Sequence, residues 1–297
     1  MPSQLRNRYP GIRFFEREEQ KLFFGRTEEC LNLFSMQKVK PLVVLFAKSG
    51  IGKSSLINAG LIPLLEQDNF QPIKIRLQDT NYSPGDFVKE ALKPFYQPEL
   101  YKQHAEKSTP QVALWEYIRA CSFEKEGTHL TPILLFDQFE EFFNHSQEKQ
   151  QELIFALANL INGRLPDEVQ QQMRQISRRN RTPEQLAWFT PIPIKILLAI
   201  RSDRMSLLDE LSVEIPTILR DRFHLKPLKI NQAKEAIVAP ATLEGEYFGV
   251  QPFDYQEDTL QEILSHLSNQ NGEIEPFQLQ ILCQHIEREV KKREGGK

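Results

Sequence analysis

The chain has 297 residues, with 40 acidic and 37 basic side chains and a formal net charge of -3. That balance excludes a chain-wide positive field for nucleic acid and leaves only a local basic patch to consider. Hydrophobic residues make up 40% and mean hydropathy is -0.45, the composition of a folded globular protein, and no apolar run is long enough to span a bilayer. The stretch Met1–Gly11 has no apolar signal core, and Cys30, Cys121 and Cys283 lack any C-x-x-C pairing. Both features predict a cytoplasmic protein with free thiols. The six histidines show no spacing of a zinc site.

In chain order, an aromatic lead-in (Tyr9 to Phe15, then Leu22 to Arg26) is predicted to pack on a domain rather than hang free. An amphipathic helix follows over 28–37, with Cys30, Leu31, Leu33 and Phe34 inward. Pro41 to Phe46 reads as a central parallel strand, feeding a glycine-containing loop and a helix from Lys53. A strand over 72–77 nearer a sheet edge, helices over 87–95 and 110–121, and a strand over 131–136 come next. The stretch 140–161 reads as largely helical, 164–190 as a charged connector, 194–200 as a fourth strand and 223–225 as a short fifth. From Asn231 the pattern becomes three helices, over 231–239, 259–268 and 276–290, a small all-helical module. Strand, loop and helix in alternation predict an α/β fold.

The strongest local signal is Ala47-Lys-Ser-Gly-Ile-Gly-Lys-Ser-Ser55 after a buried strand. Backbone N–H groups of such a loop, here Ser49, Gly50, Ile51, Gly52, Lys53, Ser54 and Ser55, wrap phosphates. The lysine reaches the β/γ oxygens and the following hydroxyl helps bind magnesium. Lys53 and Ser54 occupy those positions, and the helix N-terminus adds a field favourable to anions. Ala47 stands where the usual pattern has its first glycine.

Asp137 ends the strand over 131–136 and is the candidate magnesium-side carboxylate, paired with Ser54 as the metal residues. Gln138 follows it, so Glu140, and behind it Glu141, are the candidates for polarising attacking water; a favourable first turn of a helix is the structural alternative. Arg201, at the end of the fourth strand, is placed to meet a γ-phosphate or to pair with Asp203. Arg174, Arg178, Arg179 and Arg181 form the one basic concentration, read as a solvated face.

These features together resemble the STAND class of P-loop NTPases, and most closely the novel STAND NTPase 1 family of bacterial regulatory and antiphage-defence proteins. The resemblance rests on Phe24-Gly-Arg26-Thr-Glu28-Glu, the loop through Pro63, Asp137-Gln-Phe-Glu-Glu141-Phe-Phe, Ile200-Arg-Ser-Asp203, Phe223-His-Leu-Lys-Pro-Leu228, Ala236-Ile-Val-Ala-Pro240-Ala and Glu275-Pro276-Phe-Gln. It implies a three-layer P-loop core with a parallel sheet over 25–228, a lead-in over 1–24, and a small all-helical lid domain over 229–297. Phe24, Gly25 and Arg26 would border the base pocket and Pro276 would approach adenine, although Ile274 replaces a glycine two positions earlier. The ligands implied are ATP or ADP with Mg²⁺. The role implied is a switch that controls oligomerisation, with self-association through the NTPase module and with effector and sensor domains beyond residue 297. Nucleic acid and membrane partners are not expected.

Two functional classes remain at this level: a Mg²⁺-dependent ATPase of low turnover, and a nucleotide-dependent binding scaffold with negligible hydrolysis. No N-K-x-D segment is present, which argues against a guanine-specific enzyme.

Overall fold

The computed structural model describes residues 6–97, 99, 109–245 and 248–295. The chain groups into two compact units. One comprises Met36–Phe46 and Leu65–Phe223; the other joins Ala47–Leu64 to the segments up to Ser35 and from His224 onward. The contacts place the glycine loop with the lead-in and the C-terminal helices.

The first unit is built on β1 (Leu42–Ala47), β2 (Phe70–Ile75), β5 (Thr131–Phe136), β6 (Lys195–Arg201) and β7 (Arg222–His224), in the order β2-β5-β6-β1-β7. A small hairpin, β3 (Glu124–Lys125) with β4 (Thr128–His129), stands apart. β2 runs parallel to β5 with Phe70 opposite Thr131 and Ile75 opposite Phe136, and β5 runs parallel to β6 with Phe136 opposite Leu198. β2 lies at the edge and its burial is mixed, while β5 and β6 are buried almost throughout. Continuous apolar strands are what a parallel sheet covered on both faces requires. Helices α4 (Pro84–Leu92), α5 (Pro110–Arg119) and α6 (Gln147–Ile161) contribute Val88, Trp115, Ile118, Leu153 and Leu157 to a core shared with Ile73, Leu134 and Phe136.

Three details sharpen the sequence reading. The stretch 140–161 is not one helix: Phe139–Asn144 is a 3-10 segment, and α6 begins at Gln147. Gln138 has φ 57, and His145 is extended, its ring held 3.1 Å from Leu77 O. Two non-helical residues flank the short turn, so no continuous ladder forms. In α1 (Thr27–Val39), Cys30 and Leu33 are buried but Leu31 is 48% exposed, and Gln37 takes the inward place, donating to Ile196 O at 3.1 Å. The connector contains α7 (Asp167–Gln175) and α8 (Pro183–Ala187), and Trp188 packs edge-on against Trp115.

The second unit carries α2 (Lys53–Ser55), a π-helical turn over Leu56–Leu61 and the start of α3 (Ile62–Gln67). With them are α9 (Ile230–Ala241), α10 (Glu257–Leu267) and α11 (Pro276–Gly295). The C-terminal part is not purely helical: β8 (Leu228–Lys229) pairs antiparallel with β9 (Glu273–Ile274). Ile274 is a fully buried strand residue opposite Leu228, so that position packs the core where the resemblance led one to expect a glycine.

The lead-in is fastened to these helices. Arg8 is fully buried; its guanidinium donates to Val250 O at 2.6 Å and Leu243 O at 2.9 Å and lies 4.1 Å over the Phe248 ring. Its amide donates to Glu287 Oε1 at 2.9 Å, and the Tyr9 hydroxyl donates to Ile237 O. Burial pushes the Glu287 carboxyl up, while the Arg8 and Tyr9 amides and the Arg8 charge 3.9 Å away favour its ionised form. Among the described residues no helix is long and apolar enough to cross a membrane.

Removing one member of a buried ion pair costs about 3–5 kcal/mol. Glu287→Ala is therefore expected to lower the denaturant midpoint of the full chain by a loss near that size, and a midpoint within error of wild type would contradict the fastening.

Candidate functional site

β1 ends in Ala47, and the chain turns through a loop that L-residues could not trace unaided. Gly50 has φ 82 and Gly52 has φ 96, the latter as the N-cap of α2. These left-handed residues direct successive amides to one side, the arrangement that binds anions. Lys53 is 8% exposed and its ammonium donates to Ala47 O at 3.2 Å, so it folds back along the loop. Ser49 and Gly50 are exposed, Ile51 is buried and Ser54 is half-buried. Ser55 points elsewhere: its buried hydroxyl accepts from the Phe15 amide at 3.1 Å, tying the lead-in to α2.

The lead-in and the C-terminal helices surround this loop. Gly25 has φ 78, and a Cβ there would lie 2.3 Å from Gln232 O, so only glycine lets α9 approach. Arg26 is 4% exposed. Its guanidinium pairs with Glu29 at 2.9 Å and donates to Ile51 O at 3.3 Å, so its hydrogen bonds go to protein groups beside the loop. Phe24 is half-buried next to it. Pro276, half-buried, starts α11, and its neighbour Phe277 lies over the loop, with Cβ 3.4 Å from where a Gly50 side chain would begin. Gln232 and Phe277 were not singled out by sequence reasoning. The signal for Phe277 was its place beside Pro276; Gln232 had none, because its partner is 203 residues away.

The acidic residues lie in the sheet-bearing unit. Asp137 follows β5, is 3% exposed, and its Oδ1 has no hydrogen-bond partner. An ionised carboxylate oxygen accepts only, so burying it unpaired is costly unless a cation or donor meets it. Glu140 accepts from the Arg201 amide at 3.3 Å. Glu141 Oε1 lies 4.0 Å from Arg76 and its Oε2 is buried without a partner. Burial pushes the Glu141 carboxyl up, the charges of Glu140 and Asp137 add to that rise, and Arg76 opposes it. Arg201 is bidentate to Asp203, at 3.0 and 2.9 Å, in an exposed pair, and its hydrogen bond holds the Asp203 carboxyl down. Here the structure places the Arg201–Asp203 pairing that the sequence left open.

The buried oxygen of Asp137 that lacks a partner is the kind of hard donor a magnesium ion takes, and no group of three or more His, Cys, Asp or Glu that could hold a metal is found among the described residues. Magnesium takes few protein ligands and completes its shell with phosphate and water.

The sequence profile of the Novel STAND NTPase 1 family matches residues 9–278. Among curated proteins, none matches the sequence. Solved structures share the fold at low identity. A Walker-type ATPase of Pyrococcus abyssi is 15% identical with a TM-score of 0.53, covering 99% of this chain and 75% of its own. The Aeropyrum pernix ORC1 protein, solved in complex with DNA, is 10% identical with a TM-score of 0.53, over 97% of this chain and 66% of its own. The ORC2 protein of the same organism, solved as ADPNP-ADP complexes, is 14% identical with a TM-score of 0.50, over 91% and 64%.

A charge-assisted hydrogen bond contributes about 1.5–3 kcal/mol, so Lys53→Ala is expected to weaken ATP binding roughly 10- to 100-fold while the chain stays folded. Calorimetric titration checks this, and unchanged affinity in a folded variant would remove Lys53 from the phosphate site.

Proposed function

Because the chain belongs to the Novel STAND NTPase 1 family, we propose that it is an ATP- and ADP-binding switch module whose nucleotide state controls self-association within a larger signalling or defence protein. The observation that carries this reading is the pairing of two features in one chain: an amide-lined loop ending in the buried Lys53, and a buried carboxylate, Asp137, with one unsatisfied oxygen. Lys53 and the loop amides serve the phosphates. By the family's pattern Ser54 and Asp137 would hold Mg²⁺, which would supply charge neutralisation at the phosphates. Arg201 is available for the γ-phosphate once its exposed pairing with Asp203 is exchanged.

For water positioning, Glu141 is favoured over Glu140, reversing the order taken from the sequence. Burial pushes the Glu141 carboxyl up, which makes it a stronger proton acceptor, and one of its oxygens is buried without a partner. Glu140 is engaged by the Arg201 amide and serves to orient the end of β6. A scaffold that binds nucleotide without turning it over is the second reading, and Gln138 beside Asp137, where a second acid would be the simplest base, favours it.

Glu141→Gln is expected to retain ATP binding and to slow hydrolysis at least about a hundredfold, the scale of a lost general base, with Glu140→Gln less affected. Phosphate release measured beside light-scattering mass on the same samples checks both. Slowed hydrolysis in Glu140→Gln alone would reverse the assignment; no hydrolysis by wild type in any assembled state would leave the scaffold as the function.

A further inference from the structure

Arg26, Glu29 and Gln232 form a chain of hydrogen bonds that nucleotide binding as such does not require. Arg26 Nη2 donates to Ile51 O, in the middle of the phosphate loop, at 3.3 Å, and Nη1 pairs with Glu29 Oε1 at 2.9 Å. Gln232 Nε2 donates to both Glu29 oxygens, at 2.9 and 3.1 Å. The other end of the same amide is also used: Gln232 Oε1 accepts from the Lys229 amide at 2.9 Å, closing the first turn of α9. Lys229 lies in β8, whose partner β9 leads directly into α11, the helix that sets Phe277 over Gly50.

The loop therefore meets the C-terminal helices at two adjacent residues, at Gly50 through an apolar contact and at Ile51 through three polar side chains. The polar route has little slack. Burial pushes the Arg26 guanidinium's pKa down while Glu29 supports its charge, and a buried cation that loses its carboxylate costs several kcal/mol. A shift of the Ile51 carbonyl must be followed by Arg26, and then by the Glu29–Gln232 pair or by its rupture.

We propose that Arg26, Glu29 and Gln232 are positioning residues that report the conformation of the phosphate loop to the first turn of α9, and so make closure of the C-terminal helices depend on what the loop holds. Arg26 then acts through the loop backbone and not on the base. This rests on nucleotide binding at the loop, as proposed above, and adds the route by which that binding is transmitted.

Hydrogen exchange of the full chain, with and without ATP and Mg²⁺, tests it. In wild type, nucleotide should slow exchange both in the loop, over 50–55, and in the first two turns of α9, over 230–237. In Gln232→Leu the loop protection should remain and the α9 protection should be lost. Gln232→Glu keeps the acceptor for the Lys229 amide but sets a second carboxylate against Glu29, and should lose the same α9 protection, an effect that a merely helix-capping role would not give. Protection of α9 that persists in Gln232→Leu or in Gln232→Glu overturns the relay while nucleotide binding stands. No protection at either place in wild type overturns both.

Discussion

Backbone amides turned to one side of a loop repel one another and lose their water. Such a loop holds its shape only when other groups fix its carbonyls. Here Ile51 O is fixed by a guanidinium 4% exposed, and that guanidinium is tolerable in the interior only because Glu29 stands 2.9 Å away. Desolvating an ion costs several kcal/mol, repaid only by close, well-oriented partners. The segment before α1, the loop and α9 are joined through the Arg26–Glu29 pair, and Gly25 provides the space that the approach of Gln232 O needs.

The same economy explains the lead-in. Arg8, Tyr9 and Phe15 insert between segments far apart in sequence, with the Arg8 amide reaching Glu287 across 279 residues. Arg8 and Tyr9 reach the C-terminal helices, while the Phe15 amide and carbonyl meet Ser55 and Asn58 on the loop-bearing helix. A strap of this kind makes the loop and the C-terminal helices one unit although the sheet-bearing residues lie between them in the chain.

Much of the architecture was legible because it is local. β5 coincides with its apolar run, and its end at Asp137 marks the acidic site. Left-handed glycines beside Lys53 were readable from the loop pattern. What escaped was set by partners distant in sequence. The break before α6 depends on His145 meeting Leu77 O, and the inward turn of Gln37 in place of Leu31 depends on Ile196 O. Nothing local in Phe-Gly-Arg discloses that Ile51 O and Glu29 accept from Arg26. The ladder of β8 and β9 is two residues long on each side, too short for any periodicity to reveal.

The central proposal is that Asp137, buried with one unsatisfied oxygen, serves the magnesium of a bound nucleotide. The most direct test is ATP affinity measured by calorimetry in magnesium and in EDTA, for wild type and for Asp137→Asn. Wild type should bind more tightly with magnesium, and the substitution should abolish most of that difference while leaving the metal-free affinity in place. Equal affinities for wild type with and without magnesium, or a magnesium effect undiminished in Asp137→Asn, would contradict it.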